Sequence, residues 1–188
     1  MTHTEQYLSE TAEIAKFLDP LAIEAMVREL VSLRERKGRL FMIGLGGSAA
    51  NCSHAVNDFR RLCNIEAYTP IDNVAELTAA GNDDGWGRIF IPRFCNSNDA
   101  LMILSVGGGT ESVSTPILVV IEHAQHQGMK VYGIVGRDGG YTKQRGDCVI
   151  VIPTVEHSRV TPHTEGWQSV ILHCIVSHPV LQRTPTKW

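Results

Sequence analysis

Four short segments constrain this 188-residue chain most tightly: RLFMIGLG (39–46), DALMILSVGGG (99–109), MKVYGIVG (129–136) and DCVIVIP (147–153). None shows the polar alternation of a strand with one face in water, so each reads as a strand buried on both faces. IEAYTP (65–70) is a weaker fifth candidate. The stretches 48–63, 73–79, 84–94, 112–127 and 164–177 fit helices between them. Strands alternating with helices imply right-handed crossovers, and hence an α/β fold with a doubly wound, mostly parallel five-stranded sheet flanked by helices.

Two amphipathic helices precede this pattern. Tyr7, Leu8, Ile14, Ala15, Phe17 and Leu18 mark the first, which Asp19-Pro20 breaks. Ile23, Met26, Val27, Leu30 and Leu33 form the stripe of the second, from about 21 to 36, which ends before Gly38. Residues 1–37 are therefore expected to be a helical appendage used in oligomerisation, and 38–188 the single α/β domain. The first helix lies outside the α/β pattern, and a neighbouring subunit is a natural cover for its stripe.

The net charge of −3 offers no broad positive field to nucleic acid or an anionic membrane. Anion binding must therefore come from a local site. No apolar run approaches the roughly 20 residues of a membrane helix, and the N-terminus lacks the pattern of a signal peptide. Cys52, Cys63, Cys95, Cys148 and Cys174 are odd in number and form no CxxC pair, as in a reduced, cytoplasmic protein.

Doubly wound sheets collect ligands at the carboxyl ends of their strands. Two glycine loops fall there: Gly44-Leu45-Gly46-Gly47-Ser48 and Ser105-Val106-Gly107-Gly108-Gly109-Thr110. Glycines let backbone N–H groups approach an anion, a helix N-terminus adds its dipole, and Ser48, Ser105 and Thr110 add hydroxyls. Neither loop is a dinucleotide fingerprint or a Walker lysine loop. A sugar phosphate suits such a site, although tight strand–helix turns alone would also use these glycines. A third loop, Gly136-Arg137-Asp138-Gly139-Gly140, reads as structural turn chemistry that shapes the rim.

His54 and Asp58 are four residues apart on the helix after Gly-Gly-Ser, so they share a face. Glu165 and His173 lie eight apart on the last helix, about two turns. These four groups can converge on one divalent ion, zinc among the metals that suit them, or move protons between adjacent sugar carbons. Taken singly, each has a plainer reading as a core histidine or a solvated charge. Thr161-Pro162 reads as an N-cap with proline at N1, which puts Glu165 in the first turn of that helix.

Together, GLGGSAANCSHAVND (44–58), GND (81–83), GRDGG (136–140) and the His173 helix resemble, in the same order, the phosphoheptose isomerases of the sugar-isomerase (SIS) domain class. That resemblance implies conversion of sedoheptulose 7-phosphate, or a related ketose phosphate, to the aldose heptose 7-phosphate through a metal-assisted enediol. It also implies a homotetramer with zinc at interfacial sites. By the same likeness Asp58 takes the base and ligand position, His54 is a ligand, and His173 is acid and ligand. Asp83 and Asn51 would meet substrate, and Gly46, Gly47, Ser48, Ser105, Gly107, Gly108, Gly109 and Thr110 would hold it by its phosphate. The chain departs from the family pattern at several points. Asp58 stands for glutamate and is one methylene shorter, while Glu165 stands for glutamine and compensates as the second anionic ligand or as the base. Leu45 replaces asparagine, Pro162 replaces aspartate, and SVGGGT replaces STSGNS. A divergent subfamily is implied. The alternative from a different class is a non-catalytic SIS module, acting as a tetrameric protein-binding scaffold or a sugar-phosphate sensor.

Overall fold

A computed structural model of the chain describes residues 1–186. Thr2 caps helix α1 (His3–Phe17) in a reciprocal box with Glu5, and Asp19 caps α2 (Pro20–Glu35) by accepting from the Leu21 N–H at 2.9 Å. The α/β pattern then runs β1 (Leu40–Gly44), α3 (Gly47–Cys63), β2 (Ala67–Tyr68), α4 (Val74–Asp83), β3 (Ala100–Ser105) and α5 (Thr115–His126). It continues through β4 (Lys130–Val135), α6 (Gly140–Arg145), β5 (Cys148–Val151) and α7 (Val160–Val176). All pairings are parallel, in the order β2-β1-β3-β4-β5. The expected sheet is present, with the weak fifth strand reduced to two residues. Because β1 lies between β2 and β3, the chain reverses direction across the sheet there, which opens a crevice beyond the ends of β1 and β3.

Each sheet face is covered by its own core. Met42, Met102, Tyr132 and Ile150 pack with α2, α3 and α7, whereas Ile43, Ile103 and Val131 pack with α4 and α5. Helix α2 buries Met26, Val27, Leu30 and Leu33 in the first of these cores. The stripe of α1 is divided: Ile14 is buried on the chain's own core, while Leu8 and Phe17 are exposed.

Three local expectations need correction. The segment 84–94 is not a helix. Gly85 takes φ +86°, and only a 3-10 turn at Trp86–Arg88 forms before Pro92. Helix α6 was not foreseen, because its six residues are too few to show a period. Thr161 is not an N-cap: Glu156 accepts from the Ser158 N–H at 2.8 Å, which starts a 3-10 turn (His157–Arg159) that runs into α7 at Val160. Pro162 then occupies the third helical position, where its missing N–H has no intrahelical partner to lose. Glu165 consequently sits in the second turn of α7.

Candidate active site

Strand β1 ends in the turn that starts α3, and Gly46 needs its φ of +61° to make that turn. Strand β3 ends in the second glycine loop, and β4 in the third. Between them lies a cleft of about 1080 Å³, lined by Leu45 and Ser48 from the first loop, Ser105, Gly107 and Thr110 from the second, and Arg137 from the third. A separate hollow of about 750 Å³ beside β2, lined by Arg39, Phe41, Arg60 and Tyr68, contains none of the expected site residues.

The hydroxyls around the cleft are not equivalent. Ser48 is 1% exposed and its Oγ has no hydrogen-bond partner. Ser105 Oγ accepts from the Gly108 N–H at 3.0 Å, and Thr110 Oγ1 accepts from the Val113 N–H at 3.0 Å, so both serve their own loop. Gly108 lies behind the cleft wall, where its carbonyl accepts from the N–H and hydroxyl of Thr142. A side chain at Gly108 would strike the Gly139 carbonyl, so the second and third loops are in backbone contact.

Helices α3 and α7 bring the chemical groups together. Imidazole Nε2 of His54 lies 3.2 Å from Asp58 Oδ2 and 3.2 Å from His173 Nε2, and His173 Nε2 is 3.8 Å from the same carboxylate oxygen. The two rings meet edge-on, and Asn57 donates to the other Asp58 oxygen at 3.0 Å. The three ligand atoms lie within 4.8 Å of one another. Two imidazole nitrogens and one carboxylate oxygen so disposed fit a divalent cation with open positions for substrate, and zinc accepts that donor set.

Glu165 is placed differently. Its carboxylate lies against Gly47, where a Cβ would come within 2.5 Å of Oε2, and it is not one of the clustered three. Gly47 is the first residue of α3, so the anion faces the positive end of α3, not that of α7. Asn51 fixes this register: its amide donates to the Glu165 carbonyl at 2.9 Å and to Gln168 Oε1 at 3.2 Å. Asn51 therefore joins the helices and is not among the lining residues. Asp83, exposed at the end of α4, accepts from its neighbour Asn82 and is likewise outside the cleft lining.

The sequence reading missed Arg137 and His157 in the lining. Arg137 was visible, since its loop follows β4 as the other two follow β1 and β3. His157 had no local signal.

The SIS domain model matches residues 6–136. The "Phosphoheptose isomerase" of Citrifermentans bemidjiense is 30% identical over 162 residues, 82% of this chain and 80% of that protein. The protein of that name from Helicobacter pylori strain P12 is 26% identical over 188 residues, 93% of this chain and 94% of its own. The solved structure of a phosphoheptose isomerase from Francisella tularensis superposes with a TM-score of 0.78 at 24% identity, covering 94% of this chain and 97% of that one. The chain belongs to the SIS-domain family and, within it, to the sugar-phosphate isomerases of the phosphoheptose isomerase group.

Proposed function

We propose that the protein converts sedoheptulose 7-phosphate to the aldose heptose 7-phosphate, with a divalent cation, zinc, held by His54, Asp58 and His173. The observation that carries this reading is the meeting of those three side chains from α3 and α7, the helices whose first residues, though not these three, line the cleft. A cation bound there would polarise the substrate carbonyl and lower the charge that develops on its oxygen.

The remaining work belongs to the chain. The phosphate sits between the first two loops, on backbone N–H groups, the α3 dipole and the unpartnered Ser48 hydroxyl. The orphaned hydroxyl supports this, because a buried polar group without a partner costs stability unless a ligand satisfies it. Glu165, against Gly47 and off the His–Asp cluster, takes the proton from C1 of the ketose. The electron pair of that C–H bond forms the C1–C2 double bond while the C2 carbonyl pair moves onto its oxygen, which takes up a proton. The carbon proton then returns to C2 as the O1 hydroxyl gives up its proton and the carbonyl forms at C1. One proton passes from C1 to C2 and one from O1 to O2, with no net redox change. Exposed Leu8, Phe17 and Leu21 on the N-terminal helices support a homotetramer, and a phosphorylated substrate, which does not cross membranes unaided, supports a cytoplasmic location.

Incubating the purified protein with sedoheptulose 7-phosphate, with and without chelator, tests this reading. Aldose product that disappears on chelation and returns with zinc is expected. No aldose under any metal condition would reject the substrate, and chelator-insensitive turnover would reject the cation.

A further inference from the structure

The cleft has an electrostatic deficit. Among the described residues that line it, Arg137 is the one fixed positive charge and Asp138 the one fixed negative charge. Asp138 Oδ1 accepts from the Gly140 N–H at 3.1 Å within its own turn. A sugar phosphate is close to a dianion at neutral pH, and backbone N–H groups with a helix end supply only partial charges. The second loop adds no full charge: Thr110 is bonded within the loop, Ser105 Oγ accepts from the Gly108 N–H and keeps only its neutral O–H donor, and residues 106 and 107 carry no side-chain donor.

Arg137 is built to fill that deficit. Its Cδ lies 3.9 Å from where a Cβ would stand on Gly107, so the side chain lies over the second loop. Its guanidinium has no partner among the described residues. Its backbone is at φ +52°, a left-handed conformation that costs a non-glycine residue on the order of 1 kcal/mol. Glycine would hold that turn without strain, as Gly139 does next door at φ +88°. An arginine in a glycine's conformation, unpaired and on the cleft wall, has no structural reason visible in the fold.

We infer that Arg137 is the cationic partner of the substrate's phosphate, and that its guanidinium replaces the hydroxyl donors absent at Val106 and Gly107. A planar guanidinium offers phosphate two parallel N–H donors and remains charged at any working pH. This rests on the phosphate-cleft reading above and deepens it, because it makes recognition of the phosphate depend on the third loop. Gly107 fits the same scheme: it has ordinary negative φ and nothing nearer than Arg137, so it leaves that approach open.

Arg137→Gly is the discriminating variant, since it removes the guanidinium and relieves the backbone. Inorganic phosphate, titrated by calorimetry or ³¹P NMR on the full-length protein, reports on the cleft without turnover. The melting temperature should be unchanged or higher while phosphate affinity falls at least tenfold, with Arg137→Lys intermediate and Arg137→Gly,Gly107→Ser partly restored. In the isomerase assay the Arg137→Gly loss should appear in KM, with kcat within about twofold of wild type, as for an interaction made equally in ground and transition states. Unchanged phosphate affinity in Arg137→Gly would overturn the inference, as would a loss accompanied by a lower melting temperature that Arg137→Lys fully reverses. Wild-type protein that does not bind phosphate would overturn both this inference and the cleft reading. Weakened phosphate binding in a protein that fails to isomerise the heptose phosphate would overturn the substrate assignment alone.

Discussion

The first two glycine loops look alike in the sequence: each follows a buried strand, and each carries hydroxyl residues beside its glycines. They are built for different tasks. In the first, Ser48 Oγ is buried without a partner and Gly47 leaves room for the Glu165 carboxylate. In the second, the Ser105 oxygen accepts from the Gly108 N–H and Thr110 bonds Val113, so both brace the loop, which packs its backbone on the third. One loop has unspent bonding capacity for a ligand; the other uses its own to be rigid. A glycine-rich loop thus declares a close approach, but only its hydrogen-bond partners reveal whether a ligand or another loop makes it.

The sharpest way to break this contrast is at Gly47. The three atoms nearest a Cβ there are the far end of the Glu165 side chain, so Gly47→Ala should fold normally and displace that carboxylate. If Glu165 is the base, kcat should fall about 100-fold or more, in line with the 10²–10⁴ that a positioned base contributes. Glu165→Gln should show a comparable loss with bound metal unchanged by elemental analysis. Asp58→Asn, in contrast, should lose metal and activity together. Metal loss in Glu165→Gln would return Glu165 to the ligand set.

Next in size is the Ser48 hydroxyl. Ser48→Ala should raise KM for the sugar phosphate about tenfold, the value of one hydrogen bond to a charged group. Because that hydroxyl is already unsatisfied, the ligand-free protein should melt no lower than wild type. Ser105→Ala should reverse the pattern. It strands the Gly108 N–H in a buried setting and should cost about 2 kcal/mol of stability, the penalty for an unsatisfied buried donor. Chemical denaturation of the two variants side by side checks both signs. Equal destabilisation would erase the distinction between the loops.

The sequence made the sheet legible because four of its strands leave short apolar runs without polar alternation, whereas β2, two residues long with Tyr68 exposed, left only a faint one. It made His54, Asp58 and His173 legible because i, i+4 spacing fixes one pair and family likeness supplies the third. It misled at Thr161 because a capping signal is local, and Glu156, five residues earlier, starts the turn first. Glu165 shows the same limit. Its type and helix were readable, but its neighbour is the glycine of another helix, 118 positions away by the difference 165 − 47. Likeness alone places Asn51 at the substrate, and nothing local signals the hydrogen bonds it makes from α3 to α7.

The smallest expected effect concerns what holds the head of α7, which supplies Glu165 to the first loop and Val160 and Thr161 to the cleft beside the second. Glu10 of α1 reaches it, accepting from Arg159 at 2.8 and 2.6 Å and lying 2.8 Å from His163, on which Tyr7 stacks. The Arg159 hydrogen bond first, then the His163 one, holds the Glu10 carboxyl below the ordinary range, at about 2 from 4.5. Desolvation opposes that shift, and a hydrogen bond from Gln6 assists it. Since the folded-state pKa is depressed, the protein binds fewer protons folded than unfolded over this interval. The stabilisation is therefore complete above about pH 4.5 and lost as pH falls through about 2. Glu10→Gln should melt below wild type at neutral pH and fall less steeply on acidification, with the two curves converging near pH 2. Parallel curves would show that α1 does not brace α7 through this carboxylate, and the placement of Glu165 would then rest on Asn51 and the buried apolar face of α7.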